Sequence, residues 1–288
     1  MSRFRRWWPL IGAGPAVLFT AAMLGLPLAL LFSFGFFEIN RGVFTGKVSA
    51  HGYIAIFSDP FYAQVFLRTL LIASFVTAVC LLFGYPIAYV FHRASARWKA
   101  LILLCVLAPL LTSTLVRTFG WMVLLGREGF VNQSLLALHL AASPIEFLFT
   151  LKAVLVGMTQ VMLPYMVLPL MASLETVSPM LEEAALNLGA SRWQVFWTVI
   201  VPQTIPGIAG GSSLVFILAF SEFPVPALLG GATFKTLPVY IYQTMSTLLD
   251  WSRGAALASV LLLGSSVIVL LLQLFFRRMM PWTRTSSR

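Results

Sequence analysis

Between Arg6 and Glu38 the chain runs for 31 residues, Trp7 to Phe37, without one charged side chain. In hydrocarbon no water is at hand to bond a backbone N–H or C=O, so such a stretch must close its hydrogen bonds within itself, as a helix. About 20 residues cross the core of a bilayer, whereas the apolar core of a secretory signal reaches only about 7–15. The run therefore reads as an uncleaved first span, punctuated by Gly25 and Pro27. The same criterion places spans at about residues 9–37, 66–91, 100–125, 151–173, 200–221 and 254–276. Only 10% of the 288 residues are charged, against about 25% in soluble domains. The expected fold is all-α and integral to the membrane, a single domain over residues 1–288 with six transmembrane helices.

An even number of spans puts both termini on one side. With the termini cytoplasmic, that side collects Arg3, Arg5, Arg6, Arg93, Arg97, Lys99, Arg192, Arg277, Arg278, Arg284 and Arg288 against Glu175, Glu182 and Glu183, a balance of +8. The remaining eight basic and six acidic residues leave +2 on the far side. Basic residues gather in cytoplasmic loops, so this orientation is expected and a seventh span is not. Trp7, Trp8, Trp98, Trp121, Trp193, Trp251 and Trp282 fall near the expected interfaces, as an aromatic belt does. A formal charge of +10 would suggest nucleic acid in a soluble protein; here it reports membrane sidedness, and no nucleic-acid partner is expected. Residues 38–62 and 223–251 read as connections, the first polar and the second rich in proline and glycine. Residues 129–145, with Asn132, Gln133, Ser134, His139 and Pro144, are too short and polar to cross and read as a surface or re-entrant helix.

The polar island of the chain is the loop at residues 174–199. Ser178 before Pro179 is a helix start, an N-cap hydroxyl followed by a residue whose fixed φ suits the first turn. Glu182 and Glu183 follow near the positive end of the helix dipole. Leu181, Ala184, Ala185 and Leu188 share one face. Gly189 ends the helix where a left-handed residue is wanted, and Ser191 with Gln194 forms a capping box that starts a second helix. That helix runs into Pro202 and Pro206 as the apolar pattern resumes.

No Gly-x-x-x-x-Gly-Lys-Ser/Thr sequence occurs, so the chain has no P-loop for ATP. His51, His92 and His139 are scattered singly and no metal site is expected; nor does any nucleophile–base pattern suggest a catalytic residue. Cys80 and Cys105 lie in apolar runs and read as small core residues rather than a disulfide. Two charges stand close to spans, Arg117 and, after a 29-residue uncharged run, Glu222. An ionisable group at mid-bilayer costs about 2.5–3.5 kcal/mol and marks a pathway or a pair, unless it snorkels to the interface. Arg117 is open to either reading; Glu222, before Pro224 and Pro226, leans to a pore-facing role, with Phe220, Phe223 and Trp121 beside it as aromatic candidates. Gly207 and Gly211 form a small-xxx-small pair, compatible with packing either inside one subunit or at the centre of a dimer.

Glu183-Ala184-Ala185, Gly189 six positions after the glutamate and Pro202 thirteen after the glycine resemble the cytoplasmic EAA loop of ABC-importer permeases. Val199 and Val201 depart mildly from the isoleucine and leucine usual there. The likeness extends over roughly residues 60–275 through Phe83-Gly84-Tyr85-Pro86, Val116-Arg117-Thr118-Phe119-Gly120-Trp121, Leu125-Gly126-Arg127-Glu128-Gly129 and Ser221-Glu222-Phe223-Pro224-Val225-Pro226. These stretches look like the spermidine/putrescine-type permeases, the first of two unlike permease subunits. The resemblance implies a multi-pass protein of the bacterial inner membrane and a coupling role for Glu182, Glu183, Ala184, Ala185, Gly189 and Pro202. It implies as partners a second permease subunit, two ATP-binding subunits that hold ATP and Mg, and a periplasmic solute-binding protein; no cofactor is expected on this chain. A polyamine is the implied cargo, an opine or amino-acid-like solute the alternative. A stand-alone secondary transporter is the competing class, but no repeat relates residues 1–144 to 145–288.

Overall fold

A computed structural model of the protein describes residues 4–40, 43–231 and 234–278. Arg3, Trp282, Arg284 and Arg288 lie outside the described residues, as do the side chains of Arg5, Arg6, Trp7, Trp8 and His51. Helix α1 (Phe4–Phe34) leads into an antiparallel hairpin of β1 (Phe37–Asn40) and β2 (Val43–Val48), with Phe37 opposite Val48 and Ile39 opposite Phe44. Helices α2 (His51–Ser58), α3 (Pro60–Arg93) and α4 (Ala96–Leu107) follow, then a 3₁₀ turn (Ala108–Leu111). After it come α5 (Thr114–Leu125), α6 (Phe130–Ala137), α7 (Leu151–Leu174), α8 (Pro179–Asn187) and α9 (Arg192–Val195). A π-helical turn (Phe196–Ile200), α10 (Val201–Gln203), α11 (Ile205–Ser221), α12 (Pro224–Leu229), α13 (Leu237–Ser246) and α14 (Trp251–Arg278) complete the chain.

Among the described residues, four helices are long and apolar enough to cross a membrane alone: α1 over Gly14–Phe34, α3, α7 and α14. Two bent pairs, Ala96–Leu111 with Thr114–Ala137 at 97° and Arg192–Gln203 with Ile205–Ser221 at 62°, make six when each counts as one span. The third span is thus not the continuous helix expected over 100–125. Pro109 has no N–H to give and its ring crowds the preceding turn. The chain leaves the helix through extended Thr112, at ψ 143°, and restarts at Thr114. The fifth, expected from residue 200, straightens only at Ile205, because Pro202 and Pro206 interrupt the ladder and Thr204 turns between them at φ −90°, ψ 0°.

One connection is more ordered than expected, and the helix expected over 129–145 is shorter. Residues 38–62 hold the hairpin and α2, where Phe37, Ile39, Val43, Phe44 and Val48 supply aromatic and β-branched strand formers. Within 129–145 only Phe130–Ala137 is helical, and Asn132 is buried. Its Nδ2 donates to Gly126 and Ile145 carbonyls at 2.9 Å, while its Oδ1 accepts from the Ile145 N–H at 2.8 Å. This one buried amide therefore ties the start of α6 to the chain that follows it.

Packing divides the chain into two compact units, residues 1–63 with 240–262, and residues 64–239 with 263–288. In the first, the Tyr53 ring covers Gly35 and lies 4.6 Å from the Phe36 ring, and its hydroxyl reaches the Phe32 carbonyl and Ser259 Oγ at 3.3 Å. In the second, α7 is the central helix, burying Val154, Met158, Val161, Met166, Val167 and Leu170 among others. Lipid tails are as apolar as leucine, so helices associate there through close packing, which small residues permit. A Cβ on Gly207 of α11 would strike Ser173 Cβ and come within 2.8 Å of the Pro169 carbonyl oxygen; one on Gly211 would meet Met166 Sδ at 2.9 Å. One on Gly157 of α7 would meet Leu229 of α12 at 2.6 Å, and one on Gly84 of α3 would meet Met166 at 3.1 Å. Gly207 and Gly211 therefore seat α11 on α7 within this subunit.

Gly207→Ala should lower the melting temperature of the detergent-purified protein, by about 1–3 kcal/mol of overpacking. Gly210→Ala, which meets nothing within 4 Å, should leave melting unchanged or raise it. Equal losses in both variants would exclude close seating of α11 through Gly207.

Candidate functional site

The segment from Glu175 to Thr204 is built from local signals. Glu175 closes α7, its N–H donating to the Met171 carbonyl at 3.1 Å. Ser178 is extended (ψ 122°) with Pro179 in the first turn of α8, as expected, but its hydroxyl accepts no capping bond; the carbonyl of Ser178 takes the Leu181 N–H at 3.1 Å instead. At the far end of α8, Gly189 has φ +87°. Its N–H donates to the Leu186 carbonyl at 2.9 Å and the Ala190 N–H to the Ala185 carbonyl at 3.1 Å, the paired bonds of a Schellman ending. Two residues on, the capping box forms, with Ser191 N–H donating to Gln194 Oε1 at 2.8 Å and Gln194 N–H to Ser191 Oγ at 3.3 Å. Gly189 thus lets two helix ends, each with its orphan groups satisfied, turn sharply on one another.

The face of α8 read as apolar is exposed. Leu181 is 50% and Leu188 89% accessible, and Met180, Ala184 and Glu183 are open as well. The buried residue is Glu182, which pairs with Arg93 at the end of α3, whose guanidinium also lies over the Tyr89 ring at 5.5 Å. Lys99 Nζ, from the start of α4, donates to Glu175 Oε1 at 2.5 Å. A cleft of about 350 Å³ lies beside α8, bordered by Tyr89, Arg93, Glu182, Leu186, Arg192 and Val195. Pro202 sits in α10, just before the bend. Sequence reasoning missed Arg93, Lys99 and Glu175 as partners, and the signal available was only their sign and their common side of the membrane.

The second candidate cluster lies at the other end of α11. Glu222 is half-buried past the last residue of that helix, and its Oε1 accepts a long 3.5 Å bond from the Val225 N–H at the start of α12. Burial pushes its carboxyl above the ordinary carboxylate range, while the Val225 N–H and the positive charge of Arg117 pull it back. Arg117 Nη2 donates to Thr114 Oγ1 at 3.3 Å, and its Nε and Nη1 are buried without a partner among the described residues. Trp121, one turn along α5, donates Nε1–H to Gln160 Oε1 of α7 at 3.4 Å. The fold therefore brings Arg117 toward Glu222 and Trp121 toward Gln160, a mid-span polar residue that the sequence reading passed over. Phe223 is half-buried. Phe220 is fully buried, stacked on Phe216 at 5.6 Å and edge-on to Phe66 at 5.5 Å, so it is packing rather than an open aromatic face.

Comparison with known proteins matches residues 16–281 to the family described as binding-protein-dependent transport system inner membrane component. The spermidine/putrescine transport system permease protein PotB of Salmonella typhimurium (strain SL1344) is 34% identical over 246 residues, 85% of this chain and 86% of that protein. PotB of Escherichia coli (strain K12) is 36% identical over 212 residues, 74% of this chain and 77% of its own length. The molybdenum transport system permease protein ModB of Mycobacterium bovis is 29% identical over 219 residues, 75% of this chain and 80% of ModB. A bacterial ABC transporter involved in import of the acidic polysaccharide alginate shares the fold, with a TM-score of 0.75 at 19% identity over 95% of this chain and 96% of its own. This chain is a member of the family of inner membrane components of binding-protein-dependent transport systems.

Proposed function

We propose that the chain is one permease subunit of an ATP-driven importer and that its cargo is a polyamine, spermidine or putrescine. The observation that carries the coupling half is α8, a short helix rigidly ended at Gly189 whose apolar face, Leu181 and Leu188, is uncovered. A short helix with an open apolar face is suited to a groove on a partner, here a separate ATP-binding subunit that holds ATP and Mg. Two such subunits, a second and unlike permease and a periplasmic solute-binding protein would complete the assembly in a bacterial inner membrane, with both termini cytoplasmic. That orientation rests on the loop charges, and protease added outside intact spheroplasts should spare the α8–α9 segment.

The cargo rests on the 34% identity to PotB across most of both chains. A solute of another class is the second reading, favoured by the match to a molybdenum permease. Glu222 separates them. Glu222→Gln keeps shape and hydrogen-bonding reach but removes the charge. If its carboxylate meets a polycation in the path, an attraction of about 1–4 kcal/mol is lost, and uptake at limiting spermidine falls by about ten-fold or more. The loss should shrink at high salt. Unchanged spermidine uptake by reconstituted Glu222→Gln complex would take this residue out of the path.

Gly189 tests the coupling half. A Cβ there meets nothing within 4 Å, so the penalty of a substitution is conformational alone. A β-branched residue at φ +87° costs about 1–2 kcal/mol or more, and asparagine less. Gly189→Val should reach the membrane at normal levels yet hydrolyse ATP with little uptake, and Gly189→Asn should keep more of it. Wild-type uptake by Gly189→Val would contradict the coupling role.

A further inference from the structure

Tyr85, Tyr89 and Arg93 stand at i, i+4 and i+8 on the last turns of α3, so they form one slowly winding stripe. Each reaches a different part of the coupling segment. Tyr85 Oη lies 3.0 Å from the hydroxyl of Thr204, the fully buried residue at the 62° bend before α11. Tyr85 and Tyr89 both meet the Phe196 ring edge-on, at 5.7 and 5.4 Å, where the π-helical turn begins. Arg93 holds the buried carboxylate of Glu182 in the first turn of α8. A π turn and a bend in succession are the irregular points of the segment, and π turns recur at functional sites.

We propose that this stripe makes the end of α3 a strut that sets the position of α8 and passes its displacement to the bend at Thr204. The proposal rests on the importer reading above and adds three positioning residues to it. The chemistry at the three points differs in a useful way. The ion pair fixes where α8 sits, since Glu182 is buried and would be left as an unpaired charge if Arg93 were absent. The ring contacts allow sliding, because edge-on aromatic pairs tolerate a range of geometry. The hydroxyl pair at Thr204 is directional and registers the angle of the bend.

The test is a charge swap read in two ways. In inside-out membrane vesicles holding the full chain, chymotryptic cleavage after exposed Trp193 reports how firmly the segment is held. Arg93 is itself half-exposed, so the expected effect is moderate: Arg93→Glu and Glu182→Arg should each speed cleavage about three- to ten-fold, and the double variant should return to the wild-type rate. In the reconstituted complex with its ATP-binding subunits, each single variant should lower solute moved per ATP hydrolysed, and the swap should restore it. Tyr85→Phe keeps the ring contact but loses the hydroxyl, so it should lower solute per ATP while cleavage stays at the wild-type rate. Single variants that cleave and couple as wild type, or a swap no better than either single, would overturn the strut; wild-type coupling in Tyr85→Phe would remove the bend from it. A wild-type complex that hydrolyses ATP without moving solute would contradict the importer reading, while the cleavage measurement still decides the pairing.

Discussion

Close approach of α11 to α7 is the contact on which the larger unit depends. Apolar side chains gain nothing by leaving lipid for one another, so two helices stay together only if their backbones come near enough for dense packing. Gly207 and Gly211 give that approach on α11, set against Pro169, Ser173 and Met166. Gly157 and Gly84 repeat it toward α12 and α3. Four methionines on α7, Met158, Met162, Met166 and Met171, are buried, and Met166, an unbranched and adaptable side chain, fills the space beside Gly84 and Gly211.

With α11 seated on α7, the polar segment joining them has both ends held. Its first end is Glu175, tied to Lys99, and its last is Thr204, tied to Tyr85. Between them, α8 and α9 are each satisfied at the shared turn by bonds of their own, so they behave as stiff pieces joined at Gly189. The buried Glu182 faces inward and the apolar residues face outward, the reverse of a helix resting its apolar side on its own protein. That open face is the one we propose an ATP-binding subunit covers. At the opposite end of α11, the positive charge of Arg117 partly offsets the cost of burying the Glu222 carboxylate beside the helix end.

What could be read from the sequence was what is decided locally. Uncharged runs gave the helices, because in lipid there is no other way to satisfy the backbone. Gly189 and the Ser191–Gln194 box were legible because a helix end is specified within about six residues. Pro109 and Pro202 were visible as residues, but whether a proline kinks a helix or ends it depends on what its neighbours pack against. Hence the third span could be placed over 100–125 without its 97° bend. The partner of Glu182 was out of reach for another reason: Arg93 lies 89 positions away, and no periodicity links the two. Gly207 and Gly211 posed a choice between a partner in this chain and one outside it, and only the positions of Ser173 and Met166 decide it. The packing of Phe220 on Phe66 and Phe216 was out of reach for the same reason.

The central claim is that the open face of α8 is where a separate ATP-binding subunit sits. A photo-reactive probe on Leu188→Cys, in a Cys80→Ser/Cys105→Ser background, tests it directly, since Leu188 is the most exposed apolar residue of that face. In membranes from cells expressing the whole transport system, the probe should join this chain to one protein that binds ATP, and the adduct should be lost when that subunit is omitted. Adducts only to lipid, or an unchanged adduct without the ATP-binding subunit, would contradict the account.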